Sequence, residues 1–265
     1  ATGATRAMSR SGSERVETMS VYLRAHHVSL NVPHFVQSPR PSKSWLGTLL
    51  GASSSRPRRV FRTILEDVSF QAEEGDRVAL IGRNGAGKSS LLRVLTGAYP
   101  PSSGWLEVAG RRQALLNISL GFNGEATVDE NILLRGAAMG IPLERIRELS
   151  AGILEFSGLE HAAHHRLHTL SAGQRMRLGF AVSTSAEQDI MLLDEWLGAG
   201  DMQFIRKART RMNDRVKGSR IVVLATHNLE IARRVCNKGV VLHEGRVAYA
   251  GGVIQSILEY RKLCR

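Results

Sequence analysis

Unbroken apolar runs alternate with amphipathic stretches along most of this chain. Val78-Ala79-Leu80-Ile81, Ile190-Met191-Leu192-Leu193 and Ile221-Val222-Val223-Leu224-Ala225 are apolar at every position. Such short runs are typical of strands buried on both faces, as in parallel sheets. Val21–Leu30, Thr63–Gln71 and Trp105–Ala109 also read as strands. Thr127-Val128-Asp129-Glu130 carries a capping-box pattern that opens a helix. Leu143, Ile146, Leu149, Ile153 and Phe156 recur at spacings of three or four and predict a second helix with one apolar stripe. Gly239–Tyr249 reads as a hairpin turning at Glu244-Gly245, and a last helix is expected over 252–263. The pattern predicts an α/β fold with a mostly parallel core sheet and helices gathered over 120–186.

Two stretches break the pattern. Residues 1–19 are small, polar and dotted with arginine, without an apolar period, and are expected to be a disordered basic tail. Residues 36–60 form an insertion. There Ser42 is placed to cap a short helix, Lys43–Leu50, with Trp45, Leu46, Leu49 and Leu50 on one side, between two Pro-, Ser- and Arg-rich loops. An apolar turn carrying Trp and flanked by Lys and Arg suits a membrane interface or a hydrophobic partner; the alternative is packing on its own domain.

Charge sharpens this division. The chain of 265 residues carries a net +12, and residues 1–63 hold ten Lys/Arg against two Asp/Glu. The basic character therefore belongs to the N-terminal quarter. Such a flank meets nucleic acid or anionic lipid, or is simply a solvated arm. No run of about 18 apolar residues is present to span a bilayer. The N-terminus shows no apolar signal core, which argues against secretion. Two unpatterned cysteines, Cys236 and Cys264, give neither a disulfide frame nor a zinc spacing and fit a reducing compartment.

The candidate chemistry centres on Gly82-Arg83-Asn84-Gly85-Ala86-Gly87-Lys88-Ser89-Ser90, between an apolar strand and the helical run Leu91–Leu95. This is the phosphate-binding P-loop pattern in its strand–loop–helix setting. Its glycines permit backbone conformations closed to other residues, and the following helix adds partial positive charge at its N-terminus. Lys88 is expected to reach the outer phosphates and the Ser89 hydroxyl to ligate Mg²⁺. Downstream, an apolar strand ends in Asp194-Glu195. Asp194 is the expected second Mg²⁺ holder and Glu195 the group that polarises an attacking water. His227 follows the next strand, where it would reach a γ-phosphate or that water. Leu170-Ser171-Ala172-Gly173-Gln174 precedes a helix expected over Arg175–Ser185, with Ser171 as its cap.

Taken in order, the P-loop at 82–89, Leu-Ser-Ala-Gly-Gln at 170–174, Asp194-Glu195, Gly200-Asp201 and His227 resemble an ATP-binding cassette (ABC) ATPase over about residues 20–251. The resemblance implies ATP and Mg²⁺ as cofactors, an antiparallel β subdomain at the N-terminus, a helical subdomain and a C-terminal helix over 252–265. It also implies a head-to-tail dimer, in which Ser171, Ala172, Gly173 and Gln174 of one copy close over the P-loop nucleotide of the other. Asp201 then resembles the aspartate linking the two sites, and His227 the switch histidine. Two departures stand out. Trp196-Leu197-Gly198-Ala199-Gly200 replaces the usual Pro-Thr-Ser-Ala-Leu sequence before the aspartate, and the loop near 119–132 lacks its usual glutamine, leaving Asn123 as the nearest candidate for the extra metal ligand. Both resemble the exporters of O-antigen, capsule and teichoic acid. That resemblance implies a transmembrane permease partner, a lipid-linked polysaccharide near 42–50 and a place on the cytoplasmic face of the inner membrane. The alternative, a soluble ABC ATPase acting on nucleic acid, resembles proteins with two cassettes or long coiled coils; one cassette and no long heptad tract argue for no nucleic acid. With the cassette ending near Arg265, glycan recognition is expected in the permease or the 36–60 insertion. Phe35 and Phe61 are the candidates for stacking on adenine.

Overall fold

The computed structural model describes residues 20–36, 58–115, 121–194 and 202–264. Two sheets organise them. The first is antiparallel, with β1 (Tyr22–Val36) between β2 (Arg58–Glu73) and β4 (Ser103–Ala109). The second has six strands in the order β5-β6-β7-β3-β8-β9, formed by β3 (Arg77–Ile81), β5 (Arg112–Leu115), β6 (Ile190–Asp194), β7 (Ile221–Ala225), β8 (Lys238–His243) and β9 (Arg246–Gly252). Every pairing in it is parallel except β8 with β9.

Strand geometry explains why the core runs are apolar throughout. Successive side chains point to opposite faces, and both faces of this sheet are covered. Val78, Leu80, Ile190, Leu192, Ile221 and Val223 pack toward the antiparallel sheet and α1 (Lys88–Leu95). Ala79, Ile81, Met191, Leu193, Val222 and Leu224 pack on the other face. That second core joins them to α2 (Val128–Ala138), α3 (Leu143–Ser157), α4 (Ala172–Ser183), α5 (Met202–Gly218), α6 (Leu229–Val235) and α7 (Val253–Leu263). The buried ring cluster Phe156, Phe180 and Phe204 ties α3, α4 and α5 together.

The local signals act as the sequence predicts. Thr127 caps α2 and Ser171 caps α4, each in a complete capping box with Glu130 and Gln174. Capping starts α4 at Ala172, three residues ahead of the expected Arg175. In α3 the stripe is narrower than its spacing predicts: Ile146, Ile153 and Phe156 are buried, whereas Leu143 at the first turn is exposed. Strand β5 goes unread in the sequence, because Arg112-Gln113-Ala114-Leu115 is short and half polar.

The insertion begins later than the sequence predicts. β1 and β2 stay paired as far as Val36 opposite Arg58, so the intervening chain is 37–57. That stretch, the expected helix at Lys43–Leu50 and the expected tail at 1–19 lie outside the described residues. β4 pairs with β1 only as far as Ser29, so the last part of the β1–β2 pair runs on as a two-stranded ribbon. Residues Asn31–His34 and Val60–Thr63 of this ribbon are exposed.

Candidate functional site

Strand register brings the candidate residues to one edge of the parallel sheet. Leu80 pairs with Ala225, and Ala225 pairs with Asp194. The ends of β3, β7 and β6 are therefore level, with the P-loop, Thr226-His227 and Asp194 side by side. The carboxyl ends of parallel strands are where open α/β sheets place ligands.

The P-loop conformation needs its glycines at two contacts. A Cβ on Gly82 would lie 2.5 Å from the Leu242 carbonyl oxygen. Gly87 has φ of 102°, and a Cβ there would meet Leu65 Cδ2 at 2.8 Å. No side chain caps α1, whose N-cap is Gly87. An uncapped helix start of that kind offers its N–H groups to an anion. Lys88 Nζ folds over the loop and donates to the carbonyls of Gly82 at 2.8 Å and Arg83 at 3.0 Å.

Asn84, Gly85, Gly87, Lys88, Ser89, Ser90 and Asp194 line one cavity of about 610 Å³. Lysine ammonium, uncapped helix start, serine hydroxyl and carboxylate together fit a polyphosphate and its Mg²⁺, since that ion takes oxygen ligands from one or two side chains beside the phosphates. Arg83 and Ala86 take part in the loop itself, joined by an Ala86 N–H to Arg83 carbonyl bond of 3.1 Å.

Two parts of the cavity were not legible in the sequence. Arg62 and Ile64 of β2 complete the lining. The turn Glu244-Gly245 braces the loop from behind: Gly245 N–H donates to the Ala86 carbonyl at 3.2 Å, and Glu66 N–H to the Gly245 carbonyl at 2.9 Å. Arg62 carries a basic signal on a strand, but nothing local says that the strand passes over the P-loop. Phe61 is the neighbour of Arg62 along β2 and projects to the opposite face of the ribbon, by the two-residue period of strands. Phe35 pairs through its backbone with Arg59.

Other candidates lie elsewhere. Ser171, Ala172 and Gly173 are exposed at the start of α4, outside this cavity. Ser171 Oγ accepts from Gln174 N–H at 3.2 Å, and Gln174 Oε1 accepts from Ser171 N–H at 2.9 Å. The corner is thus rigid before any ligand arrives. His227 is exposed on the same crest and does not line the cavity. Asn123 is turned into its own loop, where its Oδ1 accepts from Glu125 N–H at 3.0 Å. Glu195 and Asp201 lie outside the described residues.

One side chain organises the loop that holds Asn123. Asn131 is fully buried; its Oδ1 accepts from Asn123 N–H, and its Nδ2 donates to the carbonyls of Asn123, Ala126 and Thr127. The same loop is laced to the segment leading into Ser171 by backbone bonds from Val128, Asp129, Leu167 and His168. Nearby, Arg135 donates to Ser183 Oγ at 3.0 Å and lies 5.0 Å from the Phe122 ring centre, with burial lowering its pKa.

The profile of the ABC transporter family matches residues 65–198. An O-antigen export system ATP-binding protein from Myxococcus xanthus is 36% identical over 214 residues, covering 81% of this chain and 49% of that protein. A teichoic acids export ATP-binding protein from Bacillus cereus is 34% identical over 202 residues, 76% of this chain and 37% of its own length. This chain spans about half, or less, of the length of these two relatives. Among solved structures, an ATP-binding subunit of an ABC transporter superposes with a TM-score of 0.66 at 23% identity, covering 92% of this chain and 99% of that one. The family profile covers half of the chain and includes the P-loop and Asp194, and the fold agrees along nearly its whole length: the chain belongs to the ABC transporter family, as an ATP-binding cassette.

Proposed function

We propose that this chain is the ATP-hydrolysing subunit of an ABC exporter that moves a lipid-linked, O-antigen-like polysaccharide across the inner membrane with a separate transmembrane permease. The observation that carries the enzymatic reading is the cavity at the strand ends, where Lys88, Ser89 and Asp194 stand beside the uncapped start of α1. In this reading the P-loop holds the ATP phosphates, Lys88 neutralises the outer ones, and Ser89 and Asp194 hold Mg²⁺. The ion supplies charge neutralisation on the transferring phosphoryl group. Glu195, next in the chain after Asp194, polarises the attacking water, and His227 at the end of β7 orients it. Asp201 communicates between the two sites of a dimer.

The site takes its last wall from a second copy. Ser171 already accepts one bond in its capping box, which leaves the hydroxyl proton to donate to a phosphate. Gly173 adds only backbone, and a Cβ there would lie 4.0 Å from Ser171 Oγ with nothing nearer. Such a corner suits close approach to an anion. The export reading draws on the O-antigen and teichoic acid export relatives, and the Trp45–Leu50 stretch is assigned to the lipid-linked substrate. Among the described residues no helix is long and apolar enough to cross a membrane.

The test is Glu195→Gln in the full chain. It is expected to keep ATP binding, to trap a dimer visible by size-exclusion chromatography with ATP and Mg²⁺, and to abolish turnover. Ordinary hydrolysis by this variant removes Glu195 from the role of base.

A further inference from the structure

A second depression lies at the other end of the parallel sheet. Phe156, Gln188, Lys207, Thr210, Arg211 and Arg215 are part of the lining of a cavity of about 620 Å³, where α5 passes the end of α3 and the start of β6. Glu187, Gln188 and Arg215 also line a neighbouring cavity of about 810 Å³, which runs on past Arg111, Arg112 and Arg145. The two form one trough. Gln188 and Asp194 are six residues apart, through β6 from Ile190, so the trough lies at most ~20 Å from the nucleotide cavity at about 3.3 Å per residue.

Its charge is one-sided. Six basic residues line it, against Glu187 and Asp214 as the acidic ones. Much of the excess comes from α5, which holds six Lys/Arg and one Asp in seventeen residues and buries only Phe204, Ala208, Met212 and Val216. The cations are held in place. Arg215 donates to the carbonyls of Thr184 at 2.9 Å and Ser185 at 3.1 Å, and its side chain is 22% exposed. Lys207 donates to the Phe156 carbonyl at 3.3 Å. Arg211 stacks on the Phe156 ring at 3.6 Å, and among the described residues no acceptor is hydrogen-bonded to its guanidinium. Burial and the nearby Arg215 both pull its pKa down. Arg215 also pairs with Glu187 at 3.4 Å and Arg145 with Glu148 at 2.7 Å, whereas among the described residues no carboxylate is ion-paired with Lys207, Arg211, Arg111 or Arg112, so the trough keeps a surplus of positive charge.

We propose that this trough is a docking site for an extended acidic polypeptide segment of a partner protein, whose carboxylates pair with Arg211, Lys207 and Arg215 at one end and Arg145, Arg111 and Arg112 at the other. Charge complementarity sets the sign of the occupant, and the length of the trough calls for a chain of anions rather than a single one. An anionic membrane is a poorer fit, because the surface is concave and Arg215 is recessed. Single-stranded nucleic acid binds through open aromatic faces, and the one ring here, Phe156, is covered by Arg211 and Lys207. The proposal is independent of ATP hydrolysis.

The experiment uses the full chain without nucleotide and a fluorescein-labelled Asp/Glu dodecapeptide carrying a photo-crosslinker. Crosslinks are expected on 139–149, 185–188 and 207–218. Lys207→Gln with Arg211→Gln is expected to weaken binding about tenfold, as for close charge pairs at an interface. Arg206→Gln with Arg209→Gln removes the same charge from the outer face of α5 and is expected to change binding less than about twofold, as for exposed charges. Arg111→Gln with Arg145→Gln tests the far end without touching Phe156, and thermal melts check each fold. Equal losses for the inner and outer pairs, or crosslinks confined to residues 1–63, overturn the proposal. So does tighter binding of phosphatidylglycerol vesicles or a single-stranded oligonucleotide through the same arginines.

Discussion

Replacing Asn131 by Ala isolates the junction between the sheet and the helical layer. The carboxamide makes four hydrogen bonds, but they are not equally costly to lose. The Ala126 carbonyl also accepts from Leu167 N–H at 2.9 Å, and the Thr127 carbonyl from Asn131 N–H at 3.0 Å, so both keep a partner. The N–H and carbonyl of Asn123 lose the side chain that pairs them. A buried polar group left unpaired costs about 1–3 kcal/mol. Asn123 is exposed enough for water to reach it, which selects the lower part of that range for each group. Alanine returns up to ~0.7 kcal/mol of helix propensity in α2. The expected net loss is about 1.5–2.5 kcal/mol, a sizeable part of a total stability of about 5–15 kcal/mol. Urea unfolding followed by far-UV circular dichroism measures it, and the midpoint should fall with little change in slope. Asn131→Asp keeps the acceptor for Asn123 N–H but sets a carboxylate against three carbonyls, so it should be worse than alanine. A loss below ~1 kcal/mol for alanine, or an aspartate variant as stable as the parent, would refute the carboxamide's part in holding 123–127.

Gly82→Ala places a methyl 2.5 Å from the Leu242 carbonyl oxygen, so the P-loop or β8 must shift; a fall in Tm and weaker ATP binding by calorimetry are expected, and an unchanged binding curve contradicts the contact. Lys88→Ala should weaken nucleotide affinity at least about tenfold, the scale of a lost charge-assisted contact to phosphate, and unchanged affinity dismantles the P-loop assignment. Burial pushes the Cys236 thiol up to about 12 from 9.0. Above pH 9 the unfolded chain then holds fewer protons than the folded one, so stability falls as pH rises and is untouched below that point. By pH 10 the parent should have lost about 1.4 kcal/mol relative to Cys236→Ala, and parallel pH profiles for the two reject the burial effect. Exposed Cys264 should react with a thiol reagent in the native state, and Cys236 only on unfolding.

The sequence was most informative where one local rule decides the outcome. All-apolar runs gave β3, β6 and β7, because a sheet covered on both faces admits nothing else. The pairs Thr127/Glu130 and Ser171/Gln174 gave helix starts, because the side chain that caps is the side chain that is written. Where distant chain segments decide, the sequence was silent. Arg62 enters the nucleotide cavity only because β2 crosses the P-loop, and Gly245 braces Ala86 only because a hairpin 159 residues further along the chain folds back on it. The charge reading was too coarse for a related reason. Averaged over 202 residues, the core looks nearly balanced, and the balance hides α5, whose cations share one helix while the compensating acids sit elsewhere.

The sheet itself gives a physical reason for a site shared between copies. Its two faces carry different cores: α1, with Leu91, Leu92, Val94 and Leu95, packs on one, and α4, with Leu178, Phe180, Ala181 and Val182, packs on the other. The helix that presents Lys88 and the helix that presents Ser171 are therefore separated by a layer of buried strands. Bringing Ser171 to Lys88 of its own copy would mean stripping α4 from Phe156 and Phe204 and breaking the bond from Gln113 to the Ser183 carbonyl. Exposing Phe180 alone costs about 1.5–3 kcal/mol, by the transfer free energy of a buried apolar side chain. A second copy turned head to tail offers the same corner already capped and rigid, with no core to break. On those energies the proposed dimer is the cheaper route to a closed nucleotide site.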